Sequence, residues 1–249
     1  KDTDVAAESS ARLIVPSKYR AQRLDLAAMK SALLNAPAES NLTTYNNGME
    51  LHLPMPDGTF GRFRVWYSPI MAAALAAQYP EIRTYAGVNL DNPASTIRFD
   101  VSPTVFHSMT YGDGNSVFID PYAKGNTKDY IAYYKRDYVK KESDRMTCSV
   151  GDDIALNLKE KELLQEFAGD CGIRHEYRLA LSCSGEYAAF HGGTVALALA
   201  AMVVTMNRVN GVLEKDGAIR LNIIANNNLI VYTNAGTDPF SNPLDDNTT

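Results

Sequence analysis

One segment constrains this chain more than any other. From residue 195 to 206 every residue but Thr205 is apolar. Opened by Gly192-Gly193-Thr194 and continuing to about Leu213, it reads as a long helix whose apolar positions wrap most of its circumference. Such a helix needs cover on several sides. The apolar run is shorter than the roughly 20 residues a bilayer core demands, so the expected cover is protein rather than lipid, with no membrane span. The rest of the 249 residues must supply that cover, and with 45% hydrophobic and 21% charged residues the chain can build it.

The cover is expected from strands. Ahead of the helix, Met49, Leu51 and Leu53, then Phe63, Val65 and Tyr67, alternate with polar residues on either side of Pro56-Asp57-Gly58, which predicts a hairpin. Short strands follow at 82–88, 96–101, 105–111, 116–119 and 130–134, separated by Asn92-Pro93, Ser102-Pro103, Gly112-Asp113-Gly114 and Gly125-Asn126. Two helices belong to this part. One is capped by Ser17, carries Leu26, Met29 and Leu33, and ends at Pro37; the other opens at Ser68-Pro69 and ends at Pro80. The result is a mostly antiparallel α+β module over 1–142. A charged connector, 143–172, contains Lys159-Glu160-Lys161-Glu162 and reads as a solvated, cleavable link. Beyond it come strands at 177–182, 219–225 and 229–233 around the long helix, an α/β layer with too little cover on one sheet face.

Net charge is -5, which argues against a nucleic-acid partner because phosphate binding needs a basic face. The polar start at Lys1 lacks the apolar stretch of an export signal. The four histidines, His52, His107, His175 and His191, stand singly, with no pair one helical turn apart to hold a metal. His52 and His107 are expected at surface or half-buried strand positions, and His191 at a cap before the glycine pair. Ser182-Cys183-Ser184-Gly185 lacks the flanking glycines of a nucleophile elbow. The acidic pairs Asp152-Asp153 and Asp245-Asp246 have no acid/base partner beside them. No residue therefore stands out as catalytic. Of three cysteines, Cys171 and Cys183 flank an extended segment too long to bridge, and Cys148 lies in the connector. A second possibility is a non-catalytic surface or ligand-binding module, with Tyr122, Tyr130, Tyr133 and Tyr134 as an aromatic face; packing within a strand explains the same tyrosines.

A resemblance orders these fragments. Tyr177-Arg178-Leu179-Ala180-Leu181, Ser184-Gly185-Glu186-Tyr187, His191-Gly192-Gly193-Thr194, Asn207-Arg208-Val209-Asn210, the 219–225 strand and Thr237-Asp238-Pro239-Phe240-Ser241-Asn242 occur in one order. Together they resemble the opening of the catalytic domain in bacterial reprolysin-like zinc endopeptidases, metzincins of the adamalysin type. More loosely, Leu53-Pro54-Met55-Pro56-Asp57-Gly58, Tyr79-Pro80-Glu81-Ile82 and Tyr85 resemble the propeptide ahead of that domain. The resemblance implies a propeptide module over 1–142, the connector, and an incomplete metzincin N-terminal subdomain over 173–249. The long helix would be its backing helix.

It also implies a secreted or cell-surface zymogen acting on protein or peptide substrates, the propeptide packed on its own catalytic domain. Peptide bonds would be hydrolysed by a zinc-activated water with a glutamate as base. The family's zinc helix, with two histidines and a glutamate followed by a third histidine, is matched by no residue here. Those ligands are expected beyond Thr249, leaving this chain inactive by itself, any degenerate remnant being the alternative. Within the resemblance Cys148 becomes a candidate latch, a thiolate on the zinc displacing the attacking water, with Cys171 as rival. Glu186 and Asp238 are candidate calcium ligands, with ordinary capping as the competing role.

Overall fold

The computed structural model describes residues 11–112, 115–138 and 173–240. In the first part the period-two segments assemble as one antiparallel sheet. Its strands are β1 (Arg20–Arg23), β2 (Met49–Pro54), β3 (Phe60–Tyr67), β4 (Arg83–Asn89), β5 (Thr96–Val101), β6 (Phe106–Tyr111), β7 (Val117–Pro121) and β8 (Asp129–Tyr134). The spatial order is β1-β8-β7-β6-β5-β4-β3-β2, a meander whose β8 edge is closed by β1. The β2–β3 hairpin turns where expected, with Gly58 at φ 94° and the Asp57 carboxylate accepting from the Thr59 amide at 2.9 Å. Alternation sorts the side chains. Phe63, Val65, Tyr85, Ile97, Phe99, Phe106 and Tyr130 fill one face beneath helix α1 (Leu26–Leu33), which adds Leu26, Met29 and Leu33. The Tyr85 and Phe99 rings stack at 4.9 Å.

Two helix starts differ from expectation. α1 is capped by Asp25, which accepts from the Ala28 amide at 2.9 Å, and not by Ser17. The intervening residues form β1 on the β8 edge, and the Ser17 hydroxyl donates to the Asp137 carbonyl. Helix α2 (Ala73–Gln78) starts later than Ser68-Pro69, because the backbone at Ile70 and Ala72 is engaged elsewhere.

That engagement is with the second part, which comprises β9 (His175–Leu179), α3 (Gly185–Phe190), α4 (Val195–Gly217) and β10 (Ile219–Ile223). β9 and β10 pair in parallel, with α4 as the crossover. By length and composition α4 is long and apolar enough to cross a membrane, beyond what its 195–206 core alone offers. Here it lies between the two sheets. Leu199, Val203 and Met206 meet Ile223 of β10 and Ile70, Leu75 and Ile82 of the first part. Gly211 permits the close approach to the large sheet: a Cβ there would lie 3.0 Å from Met109 Cε and 3.1 Å from Arg98 Cγ. The expected 229–233 strand is instead a 3-10 turn, Asn227–Ile230, followed by a single bridge between Val231 and Cys183. The buried Asn227 amide explains the change. It brackets Leu181, accepting from its N–H at 2.8 Å and donating to its carbonyl at 2.9 Å, which are the bonds a strand would make.

β10 has a closed outer edge. Asn210 of α4 accepts from the Leu221 N–H at 2.8 Å and donates to the Leu221 carbonyl at 2.9 Å. Two residues on, the Ile223 N–H reaches the Ile70 carbonyl at 2.7 Å and the Ala72 N–H donates to the Ile223 carbonyl at 2.8 Å. β9 is the opposite edge. Among the described residues no strand pairs with its far side, and His175, Glu176, Tyr177 and Arg178 are exposed. Since the buried Asn210 side chain pairs both part-buried Leu221 backbone groups, Asn210→Ala is expected to lower stability by about 2 kcal/mol in urea unfolding. Ala218 ends α4 in the left-handed region at φ 51°, so Ala218→Gly is expected to raise stability by about 0.5–1 kcal/mol in the same assay.

Candidate functional site

The loop-to-helix junction at α3 is built from small and capping residues. Ser184 accepts from the Tyr187 amide, and Asp238 reaches across from the end of the described chain to accept from the Gly185 amide at 2.6 Å. The other Asp238 oxygen takes the Phe240 amide at 3.0 Å. Gly185 packs so closely on the returning chain that a Cβ would lie 2.0 Å from the Ala235 nitrogen. Asp238 thus serves the helix N-terminus, where a carboxylate is favoured, and each of its two oxygens accepts from an amide. At the other end of α3 the His191 backbone is the cap, and Gly192 (φ 105°) and Gly193 (φ 74°) make the turn into α4.

Beside this junction lies a cavity of about 650 Å³ between α3, α4 and the β6–β7 face of the large sheet. Its apolar wall includes Leu197, Ala201 and Val204; its polar groups include His107, Asp120, Lys124, Tyr187, His191 and Thr205. Each acid or base in it already has work. His107 Nδ1 stands 3.3 Å from Asp100, and the buried Asp120 carboxylate accepts from Tyr133 Oη at 2.8 Å and from Arg208 of α4. Burial, reinforced by Asp120, raises the Tyr133 pKa and keeps its proton on. The His191 ring lies 4.4 Å from that of Tyr187, and burial together with Lys124 pushes its pKa down, keeping it neutral near pH 7. The chamber can bind; it presents no nucleophile beside a base. Tyr130 and Tyr133 are buried at 1% and 4% exposure, so they pack the sheet and the proposed aromatic face loses two of its four members.

The four histidines occupy separate places. His52 is exposed on β2 against Glu50, His107 is on β6, His175 opens β9, and His191 caps α3. Among the described residues no three His, Cys, Asp or Glu side chains group so as to hold a metal ion, so the donors present there do not fit a catalytic zinc. Cys183 is buried and unbridged, and burial pushes its thiol pKa up, away from the thiolate a metal would need. Cys148, Cys171, Asp152, Asp153, Asp245 and Asp246 lie outside the described residues.

The most charged locus was not anticipated from the sequence. Arg98 of β5, only 3% exposed, is held by Glu214 of α4 and by the Ser68 hydroxyl. Arg220 of β10 bridges Glu214 to Glu39, which also takes Arg174 at 2.8 Å and the Ser68 hydroxyl at 2.7 Å. Asn207 of α4 donates to the Phe99 carbonyl of β5 at 2.9 Å. A signal existed. Arg98 and Asp100 share one face of a strand whose other face is Ile97, Phe99 and Val101, and Asn207, Asn210, Gly211 and Glu214 recur at helical spacing along α4. Burial pushes the Glu39 carboxyl up, but hydrogen bonds from Arg220, Ser68 and Arg174 outweigh it and bring the pKa from 4.5 to about 2. A depressed carboxyl contributes stability above its unfolded pKa and loses it as pH falls through the folded one. Stability is therefore expected to drop by about 2 kcal/mol on this account as pH goes from 4.5 toward 2, a slope that Glu39→Gln flattens in urea unfolding.

No curated protein matches this chain. A family does: residues 173–249, which contain β9, α3, α4 and β10, match the model for the reprolysin-like metallopeptidases of family M12B, whose members are zinc-dependent, and this part of the chain is accordingly similar to a reprolysin-like metallopeptidase domain.

Proposed function

We propose that the chain is the pro-region and the N-terminal catalytic portion of a secreted, bacterial reprolysin-like zinc endopeptidase. The observation that carries this reading is the asymmetry of the small sheet inside the matched segment. β10 is sealed on its outer edge by Asn210 and by residues 70–72, whereas among the described residues no strand pairs with the far side of β9, whose side chains are exposed from His175 to Arg178. Further strands would join on the β9 side, and the metal-bearing helix would come with them, from sequence outside these 249 residues. When bound there, zinc supplies a Lewis acid and an activated water for hydrolysis of protein or peptide substrates. The residues in hand do other work: α4 backs the sheet, and Ser184, Gly185 and Asp238 fix the entry to α3.

In this reading 1–142 is the inhibitory and folding-assisting pro-region, 143–172 the activation connector, and Cys148 the latch whose thiolate holds the zinc until the connector is cut, with Cys171 as the rival latch. The fragment by itself is inactive. The full-length protein is expected to stay latent until cut between 143 and 172. It then cleaves an unstructured protein substrate in a reaction stopped by a zinc chelator and restored by zinc. Cys148→Ser is expected to raise the activity of the uncut protein at least about tenfold, and Cys171→Ser to leave it latent. Uncut Cys148→Ser as silent as the parent removes the latch from Cys148. A cut full-length protein without zinc-dependent hydrolysis overturns the proposal.

A further inference from the structure

Removing residues 11–138 from residues 173–240 would break more than a surface contact. We infer that the two form a permanent pair, so that cutting the chain between them yields a two-chain protein and releases neither piece. Three kinds of bond converge on this. The core is shared: Ile70, Leu75 and Ile82 from one side and Leu199, Val203 and Ile223 from the other are each exposed by 2% or less. The main chain is shared: Ile223 exchanges both of its bonds with Ile70 and Ala72, so separation would bare the part of the β10 edge that Asn210 does not cover.

The charges are shared as well, and in each pair the sheet residue is the buried member. Arg98 and Asp120 belong to the large sheet, and their partners Glu214 and Arg208 belong to α4. Arg98 is 3% exposed and Asp120 2%, so parting the halves would uncouple ion pairs at their most desolvated points. The inference sharpens the proposed activation and rests on it only for its setting: the cut frees the connector that carries Cys148, while the module stays as structural cover for α4.

The test uses the full 249-residue chain with a site-specific protease sequence placed between residues 150 and 160, cut to completion as judged on a denaturing gel. At low micromolar concentration and in high salt, which screens exposed charge pairs, the cut protein is expected to elute as one species containing both pieces. Ala72 has φ -56° and ψ 146°, which proline accepts, so Ala72→Pro deletes the N–H donated to Ile223 with little change of conformation. It is expected to speed dissociation of the cut protein at least about tenfold while the uncut variant still unfolds cooperatively. Arg98→Met is the second variant, with the same expectation. Separation of the cut parent into two species, precipitation of its C-terminal piece, or unchanged dissociation in both variants overturns the inference. None of these readouts depends on zinc or on peptidase activity, so failure here is distinct from failure of the proposed function.

Discussion

The seating of α4 on β5 and β6 is the contact on which the rest of the molecule depends. Apolar packing brings this helix to the sheet, but a nearly uniform apolar cylinder can rotate or slide at little cost. The polar residues among its apolar ones remove that freedom. Asn207 binds the β5 backbone, Asn210 the β10 backbone, and Glu214 receives guanidinium groups from both sheets. Gly211 sets the distance, because any side chain there would meet Met109 and Arg98. Buried ion pairs add little net stability over well-packed hydrophobic residues, so the Arg98–Glu214–Arg220 group is better understood as fixing register than as supplying energy.

The same seating arranges the remainder. With α4 in place, β10 follows immediately and its edge falls within reach of residues 70–72. α3 is carried to the β6–β7 side, where it closes the cavity that holds His107, Asp120 and His191. Every acid or base in that cavity leans on a neighbour from its own structural role, and the chamber reads as a by-product of packing two helices over a sheet face. The segment similar to reprolysin-like metallopeptidases therefore contributes framework: a crossover helix, a pair of parallel strands and a tightly capped short helix.

Much of this was legible in advance for a simple reason. The β2–β3 hairpin, the strands β4 to β8 and the long helix each carry a local signature, either two-residue alternation between turn residues or an apolar 3.6-residue pattern. What failed to show was set by distant partners. Ser68-Pro69 looks like a helix start, yet the following backbone is claimed by Ile223, more than a hundred residues on. Residues 229–233 look like a strand, yet Asn227 has already made the strand's bonds through its side chain. The charged group around Arg98 left only a faint trace, a polar strand face and a polar stripe on α4, because the group exists only after three elements meet. Periodicity reports which face is buried; it does not report that a buried face is charged.

Arg98 also bears on how the chain is made. Its partner Glu214 lies 116 residues later, so at ordinary rates of synthesis the β5–β6 face waits on the order of ten seconds for its cover. A face of only Leu and Ile would spend that time as a sticky apolar surface beside a growing chain. With Arg98, Asp100 and His107 on it, the waiting face is hydrated, and its charges find partners only when α4 emerges. The arginine that fixes the helix also makes the sheet face beneath it polar.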